Sequence, residues 1–347
     1  MRIVNKLLWT AVWIAGLLLV GDLYLAVMGK YIDNKPIING VFTAEENAFR
    51  KINGWANRAE NEYKNDEDES VIMRIWPNGM RECRPDPDKR TDFNVAFVGC
   101  SCTVGEGVKA EDTMIWLLNE RYPQVTFDNW GVCGYGAVQI YARAKQILTN
   151  GRKKYDLVVY NMLDDHAFRT YRPRILGEVR YNGVYTCVPY GNYDIFGRYR
   201  FHFVPELHWP GEDSLLTVDM LKRVYCSYIA RRYQSRYDRT VCSPEDYSNG
   251  IDCFFEVMDR IQELCREHGA DFLICDIQPK GTNQKTIDDP RFKYECINID
   301  HPRSREAALH VKNIITNHHN GVVHAYWADR FAEWFDRRYA DRLRGAR

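Results

Sequence analysis

The sequence predicts an α/β domain on a parallel sheet covered on both faces, preceded by an apolar N-terminal helix. Three observations predict it. Short apolar runs that stop at glycine or turn residues read as buried strands, and stretches of helical period stand between them. Strands alternating with helices make a parallel sheet, with the helices supplying both covering layers. The third observation is the first 29 residues, which are almost uncharged.

Leu7 to Gly29 is a run of 23 residues carrying one charge, Asp22. As a helix it is long enough for the roughly 30 Å hydrocarbon layer, and Asp22 lies off-centre, where a carboxylate costs less. A cleaved signal peptide is the alternative, with Arg2 and Lys6 as its basic start. The run is long for that, and Met28-Gly29-Lys30-Tyr31 is a poor cleavage site. Residues 1–29 are therefore expected to be an uncleaved single-pass transmembrane anchor. Lys30 and Lys35 flank its other end, but a short basic N-terminus stays inside, which sends the remaining chain out of the cytoplasm.

Residues 30–92 are polar and broken by Pro and Asp, a linker and extension packed on the main domain. Within it Thr43 to Glu60 can form an amphipathic helix, and Arg84-Pro-Asp-Pro-Asp-Lys-Arg90 reads as a loop. The domain proper, 93–347, opens with the strand Asn94-Val-Ala-Phe-Val98. A helix follows at about 111–121, then the strand Gln124-Val-Thr-Phe-Asp128, a glycine-rich loop and a helix from Ala137 to Leu148. Asp156-Leu-Val-Val-Tyr160 is a third strand. A periodic helix at 251–268 leads into the strand Asp271-Phe-Leu-Ile-Cys275. Between them, at about 167–250, the alternation breaks into a Tyr-rich insertion. Stretches such as Arg180-Tyr-Asn-Gly-Val-Tyr185 look like hairpins, and an insertion after a strand end suits a lid or substrate cap.

Basic and acidic residues balance at 47 each, so bulk charge gives no support to a nucleic-acid partner. Aromatic residues make up 13%, a composition shared by carbohydrate-handling proteins and by well-packed cores. The eleven cysteines fit no zinc or redox spacing, and Cys100-Ser-Cys102 is tight for a disulfide. Several are expected to act as small buried apolar residues, and their number argues mildly against an oxidising compartment.

The most specific segment is Phe97-Val-Gly-Cys-Ser-Cys-Thr-Val-Gly-Glu-Gly-Val108. A buried strand runs into Gly99, and Ser101 follows at the sheet's C-terminal edge, ahead of a helix. Free backbone N–H groups of such a turn can stabilise an oxyanion. An ordinary capping serine is the other reading. The segment resembles the first block of the SGNH (GDSL-like) hydrolase/esterase superfamily, close to G-D-S-x-T-x-G. Gly99, Ser101, Thr103 and Gly105 match, and Cys100 stands where Asp is usual. Asn129-Trp-Gly-Val-Cys-Gly-Tyr-Gly136 resembles the second block, and by it Gly134 would donate its N–H to the oxyanion. Val158-Val-Tyr-Asn-Met-Leu-Asp-Asp-His166 stands where the third block ends in Asn-Asp. The resemblance puts Asp164 at the amide donor's place, where an ionised carboxylate would repel an oxyanion. Asp164 is then either held protonated or has another role. Asn161, on the opposite strand face from Tyr160, is a poor substitute, and His166 can pair with either carboxylate.

A serine needs a histidine to take its proton and an acid to fix the imidazole tautomer. The resemblance places both in Ile297-Asn-Ile-Asp-His-Pro-Arg303, with a helix expected from Ser304 to Asn317. His301 is the implied base. Its orienter is Asp300 or, alternatively, Asn298. His310, His318, His319 and His324 read as helix-surface or post-helix residues. No metal and no cofactor are expected, since His318-His319 lacks spaced ligand partners. Cys100 and Cys102 beside Ser101 are the rival nucleophiles.

The resemblance covers residues 94–170 and 250–317. It implies a three-layer α/β/α, flavodoxin-like parallel sheet of about five strands, and acyl-ester chemistry through an acyl-enzyme. Water as acceptor makes an esterase, and a glycan hydroxyl makes an O-acyltransferase. The anchor and the aromatic insertion make an acylated envelope or exported carbohydrate the expected substrate, with another small ester possible. A catalytically silent binding module on the same scaffold is the reading from a different class.

Overall fold

Five parallel strands carry the domain, in a computed structural model that describes residues 72–89, 91–171, 244–311 and 318–344. Shorter described pieces are 6, 9–10, 12–21, 42–43, 56–57, 61–64, 174–181, 184–188, 190–193, 196–202, 215, 217–218 and 221. In chain order the core elements are β1 (Phe93–Val98), α1 (Met114–Arg121), β2 (Val125–Asn129), α2 (Ala137–Thr149), β3 (Leu157–Met162), α3 (Asp165–Tyr171), α4 (Pro244–Glu267), β4 (Asp271–Asp276), β5 (Cys296–Asn298) and α5 (Gly321–Arg344). Their order across the sheet is β5-β4-β3-β1-β2, every pairing parallel.

The apolar runs make strands because both faces are covered. All residues of β1, β2 and β3 are buried, which is why β1 and β3 read as nearly continuous apolar runs, while β2 alternates Val125 and Phe127 with the buried polar Thr126 and Asp128. Phe97 and Phe127 face α5, where Phe331 lies 5.1 and 6.3 Å from their ring centroids. Tyr160 turns to the other face and meets Phe254 of α4 at 6.3 Å. Helices α1 and α5 pack together on one side, and α2, α3 and α4 on the other. This is the expected three-layer arrangement.

The edge strand β2 is covered by the segment before β1. Arg81 bridges antiparallel to Asn129, and Ile75 bridges to Arg81. The described insertion strands pair as hairpins: Arg174–Tyr181 with Val184–Val188, and Tyr190–Tyr193 with Tyr199–His202.

Two expected helices differ. Over Thr43 to Glu60, Phe42–Thr43 pairs antiparallel with Ala56–Asn57, and 44–55 and 58–60 lie outside the described residues. Of Ser304 to Asn317, residues 312–317 lie outside the described residues, and the described part forms a 3-10 turn at Ala307–Leu309. The residues on either side of 312–317 pair with each other: the Val311 N–H donates to His318 O at 2.8 Å and the Asn320 N–H to Leu309 O at 2.9 Å. Backbone groups that a helix would have used are taken by this pairing. The last helix therefore begins at Gly321, where Asn320 Oδ1 accepts the Val322 N–H at 3.1 Å.

Residues 12–21 are helical, but no helix among the described residues is long and apolar enough to cross a membrane. Residues 1–5, 7–8, 11 and 22–29 of the expected anchor lie outside the described residues. Trp9, Trp13, Leu17, Leu19 and Val20 are exposed.

Candidate active site

Ser101 sits where β1, which lies between β3 and the edge strand β2, gives way to a short helical turn, Ser101–Val104. Gly99 makes the turn possible: a Cβ there would lie 1.9 Å from Thr103 Oγ1. Gly105 ends the turn in the left-handed region at φ 74°, and its N–H and that of Glu106 both donate to Ser101 O, at 2.9 and 3.1 Å. The first N–H groups of such a turn have no helical acceptor. Ser101 is half-buried, with its hydroxyl 3.9 Å from Cys100 Sγ, whereas Cys100 and Cys102 are buried.

The loop after β2 is fastened to this turn. The Trp130 N–H donates to Phe97 O at 2.9 Å, the Val132 N–H to Gly99 O at 3.1 Å, and Asn129 Nδ2 to Thr103 O at 3.1 Å. A Cβ on Gly131 would fall 2.4 Å from Val104 N, so only glycine permits this approach. Gly134 follows at the exposed tip with φ 74°.

Arg81, which sequence reasoning did not single out, clamps the turn from below. Its fully buried guanidinium donates to the carbonyls of Val104, Gly105 and Val108. Burial lowers its pKa to about 10. The cation fixes three carbonyls of the nucleophile loop in place. The contact is tertiary, 23 residues or more along the chain, and no local pattern announces it.

Cys100 lies against His166, a fully buried imidazole whose Nδ1 bonds the Tyr160 hydroxyl at 2.7 Å. Hydrogen bonding with Cys102, with His166 and Arg169 nearby, holds the Cys100 thiol well below its usual range, and the same pairing pushes Cys102 up. His166 thus bonds a tyrosine where pairing with Asp164 or Asp165 was expected. Asp165 is 3.3 Å from Arg169 Nη2.

Asp164 is half-buried at the end of β3. Its N–H donates to Gln278 Oε1 and its Oδ1 accepts the Asp165 N–H, both at 2.8 Å. Asn298 gives Nδ2 to Asp276 Oδ2 at 2.9 Å and to Gln278 O at 3.0 Å. Asp276 is buried, also accepts from Asn283 Nδ2 at 2.7 Å, and is raised above the usual carboxylate range by burial.

Asp300 is buried and accepts the Ser304 hydroxyl, and burial raises its pKa as well. The His301 Nδ1 accepts the Arg303 N–H at 3.1 Å, and its ring stands edge-on to Tyr326 with centroids 4.8 Å apart. Among the described residues no hydrogen bond joins the His301 ring to Asp300 or to Ser101.

A different histidine approaches the nucleophile loop. His318, buried, brings Nε2 to 3.4 Å from Glu106 Oε2. Beside it the start of α5 packs on the same loop: a Cβ on Gly105 would lie 3.4 Å from His324 Cε1, and one on Gly321 2.9 Å from Asp112 Cβ. His324 Nδ1 accepts the Met114 N–H at 3.3 Å. These residues lie in the hairpin return and the first turn of α5, and His318 and His324 are buried. The pair of histidines just ahead of the Asn320-Gly321 helix start was the available sequence signal.

Burial lowers His319 to about 4, with His310, His318 and His301 adding to it, and lowers His324 to about 3, with Arg81 adding to it. Below the ordinary 6.5 the unfolded chain takes up protons that the folded one refuses, so stability falls with pH in the window from about 6.5 towards 4 and 3. Urea midpoints measured across this range should drop as pH falls, and His324→Gln, which keeps an acceptor for Met114, should make the drop shallower. An unchanged slope in the variant would remove His324 as a cause.

Among the described residues no group of three or more His, Cys, Asp or Glu is placed to hold a metal ion. No protein-family model matches the sequence, and no curated protein matches it. Solved structures are similar to it at low identity. One is TesA, 12% identical, covering 70% of this chain and 98% of its own, with a TM-score of 0.37. Another is a member of the lipolytic protein G-D-S-L family from Veillonella parvula, 10% identical over 71% of this chain and 99% of its own, TM-score 0.37. LAE5, an alpha/beta hydrolase enzyme from a Lake Arreo metagenome, is 14% identical over 71% of this chain and 95% of its own, TM-score 0.27.

Proposed function

We propose that the chain is a serine hydrolase of the SGNH (GDSL-like) class that cleaves acyl esters with Ser101 as nucleophile. One observation carries this reading: a half-exposed serine stands at the C-terminal end of β1, an inner strand of the parallel sheet, opening a helical turn against which a glycine loop is fastened. Ser101 attacks the ester carbonyl, the alcohol leaves, and an acyl-enzyme forms that water then cleaves. The N–H groups of Ser101 and Gly134 are the oxyanion donors of this reading. Burial of Cys100 and Cys102 favours the serine over either thiol. Labelling by a fluorophosphonate probe tests the proposal: an active serine labels, and a silent binding module does not.

Two arrangements can supply the base. The resemblance assigns His301 with Asp300 or Asn298. The specific observation favouring His318 with Glu106 is their 3.4 Å approach beside the turn that Ser101 opens. Asp164 is the third oxyanion residue by resemblance, yet its carboxylate accepts the Asp165 N–H at the start of α3. Asp164→Asn keeps an acceptor and adds an amide donor, so ester hydrolysis should hold or rise. A lower rate with a lower unfolding midpoint would make Asp164 a structural residue only.

The proposed substrate is an O-acylated envelope or exported glycan, and transfer of the acyl group to a glycan hydroxyl is the alternative outcome. The exposed apolar side chains of Trp9, Trp13, Leu17 and Val20 support an N-terminal membrane anchor, since such a surface needs hydrocarbon or a partner to cover it. The domain then lies outside the cytoplasm. Full-length protein should sediment with membranes, and external protease should digest the domain in spheroplasts. Protection in intact spheroplasts would reverse the orientation.

A further inference from the structure

A cavity of about 730 Å³ opens beside the edge strand β2, on the face covered by α2. Six cations line it, Arg84, Lys89, Arg143, Arg152, Lys153 and Lys154, against two carboxylates, Asp88 and Asp128. Asp128 is buried and already satisfied: Oδ1 accepts from Arg84 at 2.7 Å, and Oδ2 from Lys153 at 2.8 Å and the Tyr155 hydroxyl at 2.7 Å. One shared carboxylate between two cations leaves the walls with a surplus of positive charge.

The wall is built, not merely a solvated basic surface. Arg84 and Arg143 are both buried. The Arg143 guanidinium lies 5.5 Å from the Trp130 ring centroid and donates to the neutral Gln146 Oε1 at 2.9 Å. Lys89 donates to Val125 O at 3.1 Å, and burial, with Arg84 and Lys153 adding to it, lowers its pKa. Burial also lowers Lys153, in spite of its bond to Asp128. Cations gathered against their mutual repulsion gain when an anion enters, because each new opposite charge favours the protonated form.

The site is separate from the proposed ester chemistry. Asn94, at the start of β1, lines the cavity together with Lys154 and Tyr155 just ahead of β3. At about 3.3 Å per residue, Asn94 is roughly 13 Å from the end of β1 that leads to Ser101. The cavity thus reaches toward the opposite edge of the sheet. Its volume is within the range of small-molecule pockets, about 300–1,000 Å³. Arginine forks and lysine point charges together suit phosphoryl oxygens.

We propose that this cavity binds a small soluble polyanion carrying at least two phosphoryl charges. The surplus of cations calls for more than one negative group. Trp130 and Tyr155 offer flat walls to the body of the ligand. The test titrates pyrophosphate into the full-length protein in neutral detergent by calorimetry. Saturable binding of one equivalent is expected, weakening as salt is raised. The exposed double variant Arg152→Ala/Lys154→Ala should bind at least tenfold more weakly while keeping its unfolding midpoint. Fluorophosphonate labelling of that variant should equal the parent's, so this result stands or falls apart from the Ser101 reading. No saturable heat at millimolar pyrophosphate, or equal affinity in the variant, overturns the proposal. Binding seen only to phosphatidylglycerol vesicles, and lost in the variant, also overturns it, by making the cations a membrane-facing patch.

Discussion

Ser101→Ala is expected to abolish fluorophosphonate labelling and to reduce hydrolysis of a short-chain aryl ester by about 10⁴-fold or more. The size follows from what the hydroxyl does. Removing one member of a cooperating nucleophile and base removes the covalent route altogether, and what remains is the oxyanion hole and binding, on the order of 10³–10⁴ over water. The substitution should cost little stability. Ser101 is half-buried and, among the described residues, its hydroxyl donates only to the Cys100 sulfur at 3.9 Å, a weak bond. An unfolding midpoint equal to the parent's, with labelling gone, assigns the loss to chemistry. Hydrolysis retained in Ser101→Ala but lost in Cys100→Ala or Cys102→Ala would transfer the role to a thiol. Burial of both sulfurs argues against that outcome.

Much of the sheet was legible because a parallel strand buried on both faces must be written as a continuous apolar run. Asn94 to Val98 and Asp156 to Tyr160 have that form, and the structure places them side by side as β1 and β3. The helix starts were legible only where local chemistry sets them. Ala137 begins α2, the preceding glycine N–H bonded to Gln139 Oε1 at 3.0 Å. The first half of the expected helix, Ser304 to Val311, misled because residues at its end are used in a tertiary pairing, His310 against His319. That pairing depends on where α5 docks, and the sequence window holds no trace of it.

The candidate site was legible in the same uneven way. Ser101 and the Gly99, Gly131 and Gly134 backbone positions carry local signals, since each tight turn or close approach demands glycine. Arg81 and Glu106 carry none, because their partners lie on other segments. His318 reads as a post-helix residue in sequence, and its burial against Glu106 exists only once α5 covers the loop after Ser101.

That placement separates the two candidate bases. A histidine that takes the serine proton needs one bare ring nitrogen toward the hydroxyl and its other nitrogen bonded to an acid. At His301 the Nδ1 accepts a backbone N–H from Arg303, so the neutral ring carries its proton on Nε2 and has no bare nitrogen left to offer. Asp300 meanwhile receives the Ser304 hydroxyl. At His318 the Nε2 stands 3.4 Å from the Glu106 carboxylate, beside the turn that Ser101 opens. His318→Gln is therefore expected to lower kcat by about 10²–10⁴-fold, the usual worth of a general base, and His301→Gln by less than about tenfold on that scale. Glu106→Gln should follow His318→Gln in direction, and the double variant should be no slower than the slower single one, because the pair acts as a unit. KM should change little in any of them, since neither side chain is assigned to binding. A large kcat loss confined to His301→Gln, with His318→Gln near parental, would return the role to His301 and require its ring to turn away from Arg303 when substrate binds.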